Sequence, residues 1–338
     1  MMARTTPPRR VRLDDVAAAA GVSSATVSLV LRGVGGPSAA TRQRVSEAAA
    51  RLGYRPDRAA SVLASRRSRL IGVALDISNP FHTRLVRDAY GAAHRHGYHL
   101  ILSTVAPDHD ERQAVETLLD SRCEGLVLLG PTAPVSAVDR IAASVPVVLV
   151  GRHIDTGTVD VVRTDDGIAL ESAVGHLAAL GHRRIAHVDG GRGEVAALRR
   201  RAYRAAMRRH GFAGEIRVLG GGDTEAAGAA AAEVLSGGLL PTAVVAFNDR
   251  SAIGLVDALA RAGAAVPTEV SVIGYDDSPV ARLGSVDLTT IGQDTARLTE
   301  DAILMLIERL EGGRTAPREV VVAPHLVVGS TTGPPPGP

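Results

Sequence analysis

From Leu70 onward the chain repeats one pattern, a continuous apolar run of strand length followed by an amphipathic segment of helix length. The runs are LIGVALD (70–76), YHLILSTV (98–105), GLVLLG (125–130), PVVLVG (146–151), RRIAHVDG (183–190), EIRVLGG (215–221), TAVVAFND (242–249) and EVSVIGYDD (269–277). Unbroken Val/Ile/Leu runs suit strands covered on both faces, as in a parallel sheet flanked by helices. The helices would come from 81–96, 110–121, 167–180, 198–210, 225–235 and 250–262, several of which close on a glycine suited to a left-handed C-cap. Eight runs exceed what one five- or six-stranded lobe requires, so the rhythm predicts an α/β chain with two doubly wound lobes. Ligands of such sheets bind outside the carboxyl ends of the strands. There the segments DISNPFH, VDGGRGE, FNDRS and GYDDS gather polar groups, and two facing lobes would form a cleft.

The segment before Leu70 is of another kind. Residues 1–69 hold thirteen arginines against four acidic residues, a local charge of +9 in a chain of net charge +2, which leaves −7 for the remainder. A basic head on an acidic body is the footprint of a nucleic-acid-binding module joined to something that does not bind nucleic acid. Within VRLDDVAAAAGVSSATVSLVLRG (11–33), Leu13 to Ala20 forms one short helix with Leu13, Val16 and Ala17 on one face, and Gly21 breaks it. Ser23 or Ser24 caps a second helix running to about Leu31, with Val27, Val30 and Leu31 inward. The pair reads as a helix-turn-helix in which Ala17 and Gly21 are small because the helices cross closely. A third helix follows at 38–54, with Val45, Ala49 and Leu52 as its apolar face. The start of the second helix would enter the major groove, making Ser23, Ser24, Ala25, Thr26, Ser28 and Leu29 the candidate DNA contacts.

Other classes are disfavoured. No apolar run approaches the roughly 20 residues that cross a bilayer, and the basic N-terminus lacks the apolar stretch of a secretory signal, so a cytoplasmic protein without membrane contact is expected. The single cysteine, Cys123, has no internal partner and reads as a core residue. GRGEVA (191–196) lacks the third glycine of a dinucleotide loop, no serine nucleophile elbow occurs, and the histidines show no metal-ligand spacing. Neither an enzyme nor a metal or cofactor protein is expected. A secreted sugar-binding protein would need a signal peptide and would not need residues 11–68.

The strings VRLDDVAAAAGVSSATVSLVLRG, TRQRVSEAAARLGYRPDRAASVLASRRS, IGVALDISNPF, HLAALGHRRIAHVDG, VVAFNDRSAIGLVDAL, VPTEVSVIGYDDSPVA and LTTIGQD, in that order, resemble the lactose-repressor (LacI/GalR) family of bacterial transcription regulators. The likeness covers essentially residues 11–330 and implies a helix-turn-helix headpiece (11–55) and a hinge helix (56–68). It further implies a two-lobed periplasmic-binding-protein-like core (69–330). Outside the likeness, residues 1–10 read as a basic disordered arm and TTGPPPGP (331–338) as a disordered tail. The first lobe would take about 69–163 and 294–318, the second 164–293 and 319–330. In the hinge, the resemblance gives Leu63 a minor-groove wedge role, while Arg55 and Arg58 would contact phosphates. It implies effector contacts at Asn79, Phe81, His82, Asp165, Arg199, Asn248, Asp276 and Gln293. Carboxylates, amides and one arginine suit a polyol such as a sugar, with Phe81 and either Tyr275 or Phe247 as stacking rings. Three departures stand out: RRRAY places Arg199 by way of Tyr203, Leu29 stands where a recognition-helix arginine is frequent, and Asp287 precedes LTT in place of a proline. The implied protein is a homodimeric repressor on double-stranded operator DNA, controlled by a small-molecule effector.

Overall fold

The computed structural model describes residues 11–31, 35–54, 67–154, 156–236 and 240–337. The basic arm, most of the hinge segment and with it Arg55, Arg58 and Leu63 lie outside the described residues. The chain divides into two units, 1–68 and 69–338.

The first unit is a three-helix cluster: α1 (Leu13–Ala20), α2 (Ser24–Leu31) and α3 (Ala39–Leu52). Val16, Ala17, Ala20, Val27, Val45, Ala48 and Ala49 form its core, and the two first helices meet at 101°. Gly21 ends α1 with φ +65°, and a Cβ built there would touch nothing within 4 Å. The expectation that Gly21 is small for helix crossing is therefore corrected: it is required by the left-handed backbone of the turn. Ser38 caps α3 by accepting from Thr41 N at 3.2 Å, and Gly53 closes it.

The second unit carries two six-stranded sheets. Its elements are β1 (Leu70–Asp76), α4 (Pro80–Arg95), β2 (His99–Val105), α5 (Glu111–Asp120), β3 (Gly125–Leu129), α6 (Val135–Ala142), β4 (Val147–Val150), β5 (Asp160–Thr164), α7 (Asp166–Ala179), β6 (Ile185–Val188), α8 (Glu194–Arg209), β7 (Arg217–Leu219), α9 (Glu225–Ser236), β8 (Ala243–Ala246), α10 (Asp249–Arg261), β9 (Ser271–Asp276), β10 (Thr289–Gly292), α11 (Thr295–Gly312), β11 (Glu319–Val322) and β12 (His325–Val327). The sheet orders are β11-β5-β4-β3-β1-β2 and β12-β10-β9-β8-β6-β7, parallel throughout except for the β10–β12 pair. The eight apolar runs all become strands. Local caps set the helices between them: Asn79 precedes Pro80 at the first turn of α4, and Asp110 with Gln113 forms a capping box on α5.

The chain passes between the sheets three times, after β5, β10 and β11. Three boundaries differ from expectation. Residues 319–322 belong to the first lobe, because β11 pairs in parallel with β5 and Val322 packs into the first core. α8 begins at Glu194 rather than 198, directly after Gly193. The end of the chain is packed: Thr331 is 4% exposed, its hydroxyl donates to Val272 O at 2.7 Å and accepts from Thr289 N at 2.9 Å. Gly333 O accepts from His182 Nε2 at 2.8 Å. Residues 331–333 thus supply partners to β9 and β10, so the expected tail is an integral edge of the second lobe.

Among the described residues no single helix is long and apolar enough to cross a membrane. Cys123 is buried in the first lobe, and burial pushes its thiol up to about 11.

Candidate functional site

In the first unit, the groups expected to touch DNA sit at the start of α2. Ser23 Oγ accepts from Thr26 N at 3.2 Å and lies 2.9 Å from Thr26 Oγ1, forming the N-terminal cap. Ser24 Oγ donates to Asp14 Oδ1 at 2.5 Å, tying α2 back to α1. Ser23 therefore caps, and Ser24 instead fixes the angle between the helices. Ala25 is exposed, whereas Ser28 and Leu29 are half-buried.

In the second unit, a cavity of about 570 Å³ opens where the strand ends of both sheets face each other. This size suits a small organic ligand. Asn79, Phe81, His82, Arg199, Asn248, Asp276 and Gln293 all line it. Asp165 does not. It is the N-cap of α7, accepting from Ile168 N at 3.0 Å, while the next residue, Asp166, turns into the cavity. That expectation is corrected by one position, and the cause is the cap: the residue before the helix folds its side chain over the free amides, and its successor points elsewhere on the helix.

The second-lobe wall is organised around Arg199 of α8, which is 7% exposed. Its Nε donates to Asp166 Oδ1 at 3.1 Å and Nη1 to Phe247 O at 2.6 Å. The guanidinium carbon stands 3.5 Å from the Tyr275 ring centre and 4.7 Å from that of Phe247. Burial works to lower the pKa of Arg199, but Tyr275, Asp166 and Asp276 carry it above the ordinary value. Tyr275 is fully buried, donates to Asp166 Oδ1 at 2.8 Å and is covered by Arg199, so it offers no ring to a ligand; of the two alternatives Phe247 is the one that lines the cavity.

Asp276 ends β9 with φ +112°. Gln293 Nε2 donates to its Oδ1 at 2.7 Å, and Gln293 Oε1 accepts from Thr164 Oγ1, at the end of β5, at 2.5 Å. Burial pushes the Asp276 carboxyl up to about 7, opposed by Arg199 and reinforced by Asp249. Asn248 caps α10 by accepting from Ser251 N at 2.9 Å and donates to Asp223 O at 3.0 Å. Gly190 lies against Phe247 so closely that a Cβ there would stand 2.4 Å from the ring.

On the first-lobe wall, Asn79 caps α4, accepting from Phe81 N at 3.0 Å. His82 Nδ1 accepts from Asp76 N at 3.1 Å, and burial lowers its pKa against the pull of Asp76. Residues not anticipated also line the cavity: Glu111, Arg152, Asp166, Arg192 and Asp223. Glu111 Oε2 accepts from Thr132 N, Thr132 Oγ1 and Ala133 N at 2.8–3.1 Å, while Arg152 donates to Pro131 O and Ala133 O. Together they pin the loop after β3. The capping-box string at 110–113 marks Glu111 as the first residue of a helix, but its reach to residue 132 depends on the tertiary fold. No group of three or more His, Cys, Asp or Glu side chains among the described residues could hold a metal ion. The wall as built can exchange hydrogen bonds with several hydroxyls and offers one aromatic face on each lobe.

Comparison with known proteins gives a consistent picture. Residues 12–57 match the model for bacterial regulatory proteins of the lacI family, and residues 174–332 that for a periplasmic binding protein-like domain. The ribose operon repressor of Escherichia coli K12 is 33% identical over 93% of this chain and 98% of its own length. A LacI transcriptional regulator from a Rhodococcus species is 44% identical, with a TM-score of 0.76 over 78% of this chain and 98% of that one. The lac repressor dimer bound to operator and the anti-inducer ONPF is 30% identical, with a TM-score of 0.85 over 96% of this chain and 100% of the other.

Proposed function

The chain belongs to the LacI family of bacterial regulatory proteins, and on that premise we propose that it is a homodimeric transcriptional repressor whose hold on operator DNA is set by a small-molecule effector, a sugar, in the cavity of residues 69–338. The observation that carries the reading is the second-lobe wall formed by Asn248, Asp276 and Gln293, at the carboxyl ends of the neighbouring parallel strands β8, β9 and β10, with Arg199 of α8 beside them, a set of acceptors and donors that lines the cavity. A carboxylate accepts from two neighbouring hydroxyls of a polyol, and an amide serves one hydroxyl as donor and another as acceptor. Phe81 and Phe247 supply apolar faces for the C–H side of a sugar ring. The ribose operon repressor and the operator-bound lac repressor dimer support the same reading by kinship.

The role is regulatory rather than enzymatic, needs no cofactor or metal besides the effector, and places the protein with the DNA in the bacterial cytoplasm. Ala25, Thr26, Ser28 and Leu29 would meet base edges, with Ser23 and Ser24 setting the helix that presents them. Arg55, Arg58 and Leu63 retain the hinge roles that the family resemblance implies. Effector control requires a difference in affinity between two arrangements of the core, with a coupling of order 1–3 kcal/mol.

The test is selection of bound duplexes from a randomised library with the purified protein, with and without pooled monosaccharides and disaccharides. Enrichment of a palindrome that a sugar abolishes or creates is the expected result. Absence of enrichment under every condition would overturn the reading.

A further inference from the structure

Two arginines cross from one lobe to the other within the second unit. Arg250 of α10 donates to Ser78 O at 3.1 Å, and Arg84 of α4 donates from one atom, Nη1, to two carbonyl oxygens, Asp276 O at 2.7 Å and Asp277 O at 2.5 Å. Successive carbonyls of a strand point to opposite sides, so one donor atom cannot meet both in extended backbone. Here both residues have left the extended conformation, with φ +112° at Asp276 and +53° at Asp277, and neither is glycine. Such backbone persists only where its surroundings over-determine it. From within its own lobe the turn is held by the Gln293 amide on the Asp276 carboxylate and by Arg282 on that of Asp277. Its carbonyls are held from the other lobe, by Arg84.

We propose that Arg84 is a positioning residue for the effector carboxylate of Asp276: reaching from the first lobe, it holds the Asp276–Asp277 backbone in the turn that presents Asp276 to the cavity, so separating the lobes loosens that carboxylate. Effector affinity is thereby tied to lobe closure through one side chain that does not line the cavity. The inference rests on the proposed function only for what Asp276 binds. The guanidinium also favours the charged form of Asp276, acting with Arg199 of α8 and against Asp249 of α10, while Tyr275 stands next to it in β9 and the adjacent Asp277 is paired with Arg282. That supplies a readout independent of any ligand.

The experiment follows the ¹³C resonance of the Asp276 carboxyl across pH in the ligand-free full-length protein, assigned by its absence in Asp276→Asn, together with amide hydrogen exchange. In Arg84→Met the titration midpoint should rise by half a pH unit or more, and the amides of 277–278 should exchange at least tenfold faster, with β1–β4 unaffected. Arg84→Lys, which keeps the charge, should return the midpoint most of the way. Unchanged exchange at 277–278 in Arg84→Met would reduce Arg84 to a nearby charge, and an unmoved midpoint would reduce it to a structural contact; either result would overturn the proposal. Because neither operator nor effector is used, that failure is separate from a failure of the repressor reading.

Discussion

The side chain of Gln293 joins the two lobes of the effector core: its amide nitrogen donates to Asp276 Oδ1 at 2.7 Å and its oxygen accepts from Thr164 Oγ1 at 2.5 Å. The carboxylate so held is buried and carries a raised pKa. A raised folded-state pKa in an acid contributes stability that is full below the unfolded value near 4 and is lost as pH rises through about 7. Asp276→Asn, which keeps the acceptor for Gln293, should therefore leave stability at pH 4 nearly unchanged and raise it at pH 8, on the order of 2 kcal/mol. Denaturant unfolding at the two pH values measures this, and the same variant should lose its response to effector. A variant less stable at pH 8 would contradict the assignment.

His187 has the opposite sign. It is fully buried, stacked on Tyr203 at 5.2 Å and donating from Nδ1 to Val245 O at 2.9 Å, and burial lowers its pKa to about 4. Its contribution is full above pH 6.5 and is lost as pH falls from there to about 4, roughly 3 kcal/mol at the limit. His187→Asn keeps a donor for Val245 O and removes the titration. Its stability should fall less steeply with acidification than the native protein's, by about one proton in slope. His182 and His176, also lowered by burial, add to the acid sensitivity that remains.

Gly190 leaves room for the Phe247 ring that faces Arg199. Gly190→Ala would place a methyl 2.4 Å from that ring, so Phe247 must move off Arg199. A cost of about 1–3 kcal/mol in stability is expected. Effector affinity by calorimetry should drop at least tenfold while operator affinity without effector stays within a factor of two.

At the start of α2, Ala25 is exposed and carries no packing role. Ala25→Glu should leave the melting temperature unchanged and lower operator affinity by a hundredfold or more, since it brings a negative charge to the groove. Native operator affinity should also fall steeply with salt as counterions are released. A flat salt profile, or tight binding by Ala25→Glu, would place the DNA surface elsewhere.

Thr331→Val tests the packed end of the chain. It keeps the shape but strands Val272 O and Thr289 N, both buried, at an expected cost of about 2 kcal/mol. Thermal melting compared with the native chain decides; an unchanged midpoint would mean that the terminal segment adds nothing to the second lobe.

How far the sequence reached varies along the molecule. β1, β3, β4 and β8 are unbroken apolar runs, and their identity follows from composition and length alone. β5 was hidden. It opens on Asp160, fully buried, whose carboxylate takes Arg309 at 2.9 and 3.1 Å, Arg314 at 2.6 and 3.0 Å and Arg318 N at 2.7 Å, all from 149 or more residues away. A charged residue reads as surface until its distant partners are known. β11 and the segment at 331–333 escape local reading for a related reason, because their partners, β5, β9 and β10, belong to sheets whose edges no local pattern marks.

The family motifs located seven of the eight proposed effector residues at the cavity, and the eighth, Asp165, stood one position from the acid that lines it. By itself the sequence determined the alternation of strand and helix, the caps, the basic helical head and the polar strand ends, since each depends on residues within a few positions of one another. Only the tertiary structure decided which of two adjacent acids faces the cavity, that Tyr275 is spent beneath Arg199, that Glu111 and Arg152 pin a first-lobe loop, and that Arg84 reaches the backbone behind Asp276. Those are choices of direction and of distant partner. They are fixed by burial and hydrogen-bond geometry among segments up to 193 residues apart, where local propensity carries no information.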